Sequence, residues 1–231
     1  MTSPTVDSVP FAVDTPDRTG SVALRPKDAA SIILLDRTSG TPRFLMGRRG
    51  SGHAFMPDLY VFPGGRRDPR DHALPFRRDL HPLVTERLLS GSTGRRTVTG
   101  ARALALAAIR ELQEETGLFV KDAKDEADLL LLRYIARAIT PPGNVRRFDT
   151  HFFLLPTDEA GIATTDLRDS EELQDLRWVG LDEVPDLNVP RITQAVLGDV
   201  KTLLDTDPTL PYGMPVPFYS MRYGRFVRTH I

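Results

Sequence analysis

Three carboxylates crowded at the end of an apolar run constrain this chain more than any other feature. The run Ala103–Ile109 is unbroken, and Glu111, Glu114 and Glu115 follow it within five positions. If the segment is helical, all three acids share one face. A helix that is apolar on most sides is buried, and buried carboxylates need a compensating cation. Oxygen ligands of this kind favour Mg²⁺ or Mn²⁺. The alternative is a solvated acidic helix end.

The flanking residues predict where this helix ends and how its acids are held. Arg110 stands four positions before Glu114 and can hold that carboxylate by an ion pair. Gly117 occupies the position where a left-handed residue closes a helix. The helix is therefore predicted from residue 99 or 100 to Thr116.

A pair of glycines upstream is the predicted partner of the acids. A short strand over residues 59–62 leads through Pro63 to Gly64 and Gly65. Proline prevents the strand from continuing, and two glycines let the backbone approach a phosphate or a metal closely. The alternative is an ordinary turn, but the acidic helix downstream favours the functional interpretation.

Together these segments resemble the signature of Nudix hydrolases, Gly-x5-Glu-x7-Arg-Glu-U-x-Glu-Glu-x-Gly-U, in which U is aliphatic. The second half matches at every fixed position from Arg110 to Leu118. The first half departs: five residues separate Gly65 from Asp71, which is a shorter acid than the family's glutamate. Between Asp71 and Arg110 lie 38 residues instead of seven, so about 31 are inserted, over about 66–99. Counting back from Arg110 places Arg102 at the glutamate position.

The resemblance implies a fold, a reaction and a cofactor. It implies an α/β/α sandwich with a mixed sheet over residues 25–207, and covers most of residues 26–205. It implies hydrolysis of a diphosphate linkage in a nucleoside diphosphate derivative. Mg²⁺ or Mn²⁺ would be held by Glu111, Glu114, Glu115 and Gly65. An insertion inside the signature is similar to the coenzyme A diphosphatase branch, although Ala54 and Asp58 stand where that branch has its arginine-and-glycine spacing. Coenzyme A esters, ADP-ribose and dinucleotides all remain candidate substrates.

Further polar residues are candidates for the site. Arg48 and Arg49 end the second strand and can reach substrate phosphates, or are ordinary strand-end charges. Arg147 begins a strand after a Thr-Pro turn that also resembles Nudix proteins, and is a candidate for substrate binding. Glu171 and Glu172 are candidates for the loop acid that serves in the family as a further metal ligand or as the base, with surface charge as the alternative.

The remaining segments are predicted from their patterns. Strands are expected at 27–36, 43–49, 133–139, 147–155 and 175–179, and helices at 82–89, 122–132 and 190–204. Residues 1–24 are predicted to be a flexible arm. The insertion is expected to be a lid or a substrate wall. The aromatic, proline-rich tail 208–231 is expected to pack on the domain or on a partner subunit in a homodimer, or to stack on a base.

Composition bounds the functional class. A formal charge of −1 gives no general basic field for nucleic acid. The absence of cysteine excludes thiolate chemistry and fits a reducing cytoplasm. No apolar run approaches the roughly 20 residues of a membrane span. The expected partner is a small-molecule diphosphate, and the competing hypothesis is a non-catalytic nucleotide-binding regulatory module.

Overall fold

The computed structural model describes residues 24–50, 57–91, 96–120 and 126–231. The predicted arm, apart from Leu24, and residues 122–125 of the predicted helix 122–132 lie outside these ranges. The helices are α1 (Pro82–Ser90), α2 (Val98–Thr116), α3 (Thr157–Ala160) and α4 (Arg191–Thr206). The strands are β1 (Lys27–Asp36), β2 (Arg43–Arg49), β3 (Tyr60–Val61), β4 (Gly64–Arg66), β5 (Phe76–Arg78), β6 (Ala127–Asp128), β7 (Arg133–Ile139), β8 (Phe148–Pro156), β9 (Leu173–Gly180), β10 (Pro217–Arg222) and β11 (Arg225–His230).

A mixed sheet forms the centre of the molecule. Its order is β11-β10-β7-β8-β1-β2-β3, with β4 also pairing β1 and β9 pairing β2. The pairs β1–β8 and β10–β7 are parallel, and the other pairs in this sheet are antiparallel. Strands β5 and β6 form a separate parallel pair. Because β1 pairs β4 at its first half and β2 at its second half, the glycine strand lies beside the middle of the sheet.

Two hydrophobic cores lie on opposite faces of the sheet. Successive side chains of a strand point to opposite faces, so Ile32 and Leu34 join the core under α1 and α2. Ile33 and Leu35 join the core under α4. Helices on both faces of a mixed sheet confirm the predicted α/β/α architecture.

Helix α2 is built to lie close to the sheet. Its N-terminus is capped by Thr97, whose side chain accepts a hydrogen bond from the Gly100 amide, and its C-terminus ends at Gly117 in the left-handed conformation, φ 73°. Alanines at its buried positions allow a short helix-to-sheet distance. The helix begins at Val98, one or two residues before the predicted start.

One part of the insertion packs in the core, and another part lines the candidate site. Val84 and Leu88 of α1 are buried against the core under α2. Among its described residues, Arg66, Asp68 and Arg70 line the cavities of the candidate site. The expectation of a lid is therefore wrong for α1, because its apolar stripe needs the face of α2 for burial.

Two further expectations are corrected. The tail packs on the domain, which is one of its predicted alternatives, but β10 pairs β7 and extends the sheet, so the domain continues past the predicted boundary at 207. Of the predicted helix 122–132, the described part contains β6 and a 3-10 turn, Leu129–Leu131. The Asp128 side chain accepts a hydrogen bond from the Leu130 amide, which favours the turn over a continuing helix.

The packing of α1 gives a stability prediction. Replacing Leu88, which is 1% exposed, with alanine should lower the free energy of unfolding by about 3 kcal/mol, because it leaves a cavity in the core. Urea denaturation measures this loss. Leu83→Ala on the same helix, where the side chain is 44% exposed, should cost less than about 1 kcal/mol. Equal losses for the two variants would contradict the placement of α1 in the core.

Candidate active site

The glycine strand and the acidic end of α2 meet directly. The Gly64 amide donates a hydrogen bond to Glu115 Oε2 at 2.8 Å. A Cβ atom at Gly65 would stand 2.3 Å from Glu111 Oε1, and one at Gly64 would stand 2.6 Å from the Ala30 carbonyl oxygen. Side chains at these two positions would therefore displace the carboxylates or the backbone of β1. The two glycines are required for this close approach.

Arg110 organises the carboxylates around it. Its Nε donates to Asp71 Oδ1 at 2.7 Å, and its Nη1 donates to Glu111 Oε1 at 2.8 Å and to Glu114 Oε2 at 2.7 Å. Burial alone would lower the pKa of Arg110, but the hydrogen bond from Arg110 to Asp71 and the charge of Glu111 raise it above its ordinary value. The Arg110 guanidinium therefore stays positively charged.

Asp71 holds this arginine from across the insertion. Its side chain is fully buried, and it also accepts a hydrogen bond from the Asp68 amide at 2.6 Å within a capping box. The insertion thus separates Asp71 from Arg110 in sequence but not in space. The acid of the signature's first half is present in shortened form and contacts the arginine of the second half.

The two buried glutamates are electrostatically costly without a cation. Burial raises the pKa of Glu115 to about 8, and the nearby charge of Glu111 adds to the effect while the Gly64 hydrogen bond opposes it. Burial also raises the pKa of Glu111, against the opposing charge of Arg110. Glu114 is largely exposed and points to the rim. Among the described residues, the ligand atoms of Glu111, Glu114 and Glu115 are not gathered within 4.8 Å of one another, so the side chains would have to shift to share one divalent cation. A cation bound there would favour the ionised form of both buried acids.

These carboxylates border two joined cavities. One, of about 330 Å³, is mainly apolar and contains Glu111, Glu115, Glu172 and Arg49 in its lining. The other is polar and lined by Arg66, Asp68, Arg70, Arg110, Glu111, Glu114, Glu115, Ser170, Glu171 and Glu172. Six acids and three arginines in the polar cleft leave an excess of negative charge. The shared wall of Glu111, Glu115 and Glu172 is where a cation and an anionic substrate would meet.

The candidate arginines divide into one that lies in the site and two that do not. Arg49 lines the apolar cavity, and burial lowers its pKa while the charge of Glu115 opposes that effect. Arg48, its neighbour on β2, points the other way and pairs with Asp58 at 3.2 Å. Arg147 donates to the carbonyl oxygens of Thr140 and Leu24. Neither Arg48 nor Arg147 lines a cavity of the candidate site, and both side chains hold loops instead, so the structure does not bring them together with Arg49.

The chain is similar to a known domain family, to a curated protein and to solved structures. Residues 96–197 match the family described as NUDIX domain. The Caenorhabditis elegans protein named "Putative nudix hydrolase 7" is 32% identical over 170 residues, which cover 69% of this chain and 53% of that protein. The chain thus spans about half the length of this curated relative. The crystal structure of a NUDIX hydrolase from Alicyclobacillus acidocaldarius is similar with a TM-score of 0.54 at 24% identity, covering 75% of this chain and 90% of that one.

Residues 96–197 of this chain are similar to a Nudix domain. The profile match contains the complete second half of the signature, Arg110 to Leu118, and the fold agrees with the solved hydrolase structure. The matched region begins at residue 96, near the end of the insertion, so β1 and the glycine strand precede it. The narrower assignment to the coenzyme A diphosphatase branch stays a prediction. Within the described ranges no helix is long and apolar enough to cross a membrane.

The sequence interpretation missed three arginines that line the candidate site, Arg66, Arg70 and Arg146. Arg66 follows the glycine pair and lines both cavities, and Arg146 lines the apolar cavity from the loop before β8. Both side chains are exposed. The position of Arg66 directly after Gly65 was the available signal. No sequence signal distinguishes Arg146 from Arg147, because only the direction of the loop decides which of them faces the cavity.

A second acidic cluster in this chain is already neutralised. Ligand atoms of Asp28, Asp149 and His151 lie within 4.8 Å of one another. Arg96 pairs with Asp28 at 3.1 Å, and Arg137 pairs with Asp149 at 2.6 Å. Burial lowers the pKa of His151 well below its ordinary value. The bound guanidinium groups make this cluster a poor cation site, and its role is to fix the end of the insertion to β1 and β8.

The raised pKa of Glu115 predicts an unusual pH dependence of stability for the metal-free protein. A carboxyl group whose pKa is raised on folding costs stability once the unfolded chain ionises, from pH 4.5 upward, and the cost grows until pH passes about 8. Between pH 6 and pH 8 this group should lower the free energy of unfolding by about 2 kcal/mol.

The Glu115→Gln variant isolates this effect. Neutral, buried His151 contributes in the opposite direction as pH rises through about 6.5, and this contribution is common to both proteins. The difference in free energy of unfolding between wild type and variant, measured in urea with EDTA, should therefore shift with pH. A difference that stays constant from pH 6 to pH 8 would contradict the buried, metal-free environment of Glu115.

Proposed function

We propose that this protein hydrolyses a diphosphate linkage in a nucleoside diphosphate derivative, in a reaction that depends on Mg²⁺ or Mn²⁺. The observation that carries the proposal is the convergence of Glu111, Glu115 and Glu172 on one wall, with Arg49 beside them. Such a wall combines a place for divalent ions with a cation that attracts phosphate.

Different residues of the chain would bind the metal, position the carboxylates and contact the diphosphate. Glu111 and Glu115, with Glu114 at the rim and the Gly65 backbone, would hold the metal, which neutralises phosphate oxygens and lowers the pKa of water when bound. Arg110 fixes Glu111 and Glu114 in position through its hydrogen bonds. Arg49 faces the charge of the diphosphate.

Glu172 is the proposed general base. It lines both cavities and is coupled to Glu111 and Glu115 by charge. It would take one proton from water while the water oxygen bonds to phosphorus, and the diphosphate bridge oxygen leaves with the second product. Glu171 lines only the polar cleft and not the apolar cavity, so it is the matched control for Glu172.

The function is tested by a Mg²⁺-dependent screen of coenzyme A, ADP-ribose and dinucleoside polyphosphates, with products identified by mass. We expect two phosphate-bearing products from at least one substrate, and loss of turnover in EDTA. Glu172→Gln should then lower kcat about 100-fold, whereas Glu171→Gln should change it less than about threefold.

Failure in this screen has a defined meaning. No turnover on any of these diphosphates, together with thermal stabilisation by nucleotide, would overturn the hydrolase proposal and favour a nucleotide-binding regulatory module. If turnover is found but Glu172→Gln retains it, the proton acceptor is wrong while the reaction stands.

A further inference from the structure

The apolar cavity runs across the sheet instead of along a strand. Its floor is formed in turn by Gly64 and Gly65 of β4, Ser31 of β1, Thr150 of β8 and Ala138 of β7. Neighbouring strands lie about 4.8 Å apart, so the three steps from β4 to β7 span about 14 Å. The floor is therefore long enough for a nucleoside attached to the diphosphate.

The polarity of the lining changes along this path. Glu111, Glu115, Glu172 and Arg49 belong to the end near α2 and the glycine strand. Hydroxyl groups follow, from Ser31 of β1 and Thr150 of β8, with Thr193 of α4 also in the lining. Beyond them the lining is mainly apolar or aromatic, with Ala138, Ile139, Phe148, Ile192 and Phe226. A ligand that fits this lining would have a charged group at one end, hydroxyl groups in the middle and a flat apolar group at the other end.

The far wall comes from the C-terminal hairpin. Phe226 of β11 lines the cavity, and its ring stacks on Tyr219 of β10 with centroids 6.0 Å apart. Tyr219 donates to Asp199 of α4 at 2.5 Å, and Arg228 donates to the other oxygen of Asp199 at 2.6 Å. The hairpin is thus fixed to α4, the helix whose first turn covers the cavity.

From this arrangement we propose that the C-terminal hairpin forms a nucleobase subsite, in which Phe226 determines specificity by contact with the base. The subsite deepens the proposed function and rests on it for the position of the diphosphate. Among the described residues of the lining, no amide side chain is present and the carboxylates lie at the opposite end, so the polar side chains at this end are those of Thr140 and the exposed Arg146. Recognition by stacking without hydrogen bonds to the base edge tolerates different bases.

Binding of non-hydrolysable ligands tests this subsite apart from turnover. The probes are adenosine 5′-α,β-methylenediphosphate and methylenediphosphonate, which lacks the nucleoside, titrated by calorimetry with Mg²⁺ present. We expect the nucleoside ligand to bind at least about 10-fold more tightly, and its guanosine counterpart to bind within about threefold of it.

Variants locate the effect on one ring. Phe226→Ala should weaken binding of the nucleoside ligand about 10-fold and that of methylenediphosphonate less than twofold. Phe226→Leu, which keeps apolar volume, should weaken the nucleoside ligand about threefold and provides the answer if the alanine variant does not fold. The control is Tyr223→Ala, at the fully exposed turn of the same hairpin, which should leave both affinities unchanged.

Three outcomes would overturn the subsite. They are equal affinity for the two probes, a Phe226→Leu variant with wild-type affinity for the nucleoside ligand, and equal or tighter binding of a ten-carbon alkyl methylenediphosphonate. The last would assign the cavity to an alkyl chain. Normal nucleoside binding without any turnover would instead contradict the proposed hydrolysis and leave the subsite intact.

Discussion

Replacing Glu115 with glutamine should reduce kcat about 1000-fold on whichever diphosphate the protein hydrolyses best. Glu115 is buried, its position is fixed by the Gly64 amide, and it lies at the junction of the two cavities. Glutamine keeps the shape but removes the charge that a divalent cation needs, and a loss of about 4 kcal/mol of transition-state stabilisation corresponds to this factor. Steady-state kinetics at saturating Mg²⁺ measure the effect.

The control for this variant is Glu86→Gln on α1. Glu86 is exposed and lines neither cavity. It should leave kcat within about twofold of the wild type. Circular dichroism and thermal unfolding should show that Glu115→Gln remains folded, since glutamine removes the burial cost of the charge. Near-normal turnover by a folded Glu115→Gln protein would exclude Glu115 from the catalytic machinery.

The second large effect is expected at Asp71, which touches neither cavity. Replacing Asp71 with alanine removes one of the carboxylates that neutralise the charge of Arg110. This change should lower the free energy of unfolding by about 3 kcal/mol. It should also lower kcat at least about 10-fold, because Arg110 no longer fixes Glu111 and Glu114, and small displacements of positioned groups are costly. KM should change less than kcat. Urea denaturation and kinetics on the same preparation give both quantities.

An aspartate in the same region provides the control for Asp71. Asp79 also joins the insertion to α2, by accepting hydrogen bonds from Arg102, but its side chain is 41% exposed. Asp79→Ala should cost less than about 1 kcal/mol and leave kcat unchanged. If Asp71→Ala and Asp79→Ala behave alike, the link through Arg110 has no special role in positioning the carboxylates.

The sequence alone determined where helix α2 ends and which of its faces carries the acids. The spacing of Glu111, Glu114 and Glu115 sets their common face by helix geometry, and Gly117 ends the helix for a reason local to its own backbone. The alternation of β1 likewise divides its side chains between two cores without reference to distant residues. Local periodicity carries these features, whereas the fold class was predicted from the resemblance of the motif to that of Nudix hydrolases.

Contacts between residues far apart in the chain decided the rest. Arg49 faces the cavity and Arg48 does not because β2 is placed between β1 and β9, and neighbouring side chains must take opposite faces. Asp71 reaches Arg110 only because the insertion folds back onto α2. The tail becomes β10 and β11 because β7 offers an unpaired edge, and Phe226 thereby enters the cavity.

The physical reason for this division is the range of the interactions. Helix periodicity, caps and strand alternation depend on neighbours within a few residues, so the sequence displays them directly. The partner of Asp71, the direction of Arg146 and the position of Phe226 depend on which surfaces bury one another after the chain has folded. Only the tertiary structure can bring those groups together, and in this protein it completes the lining of the cavity.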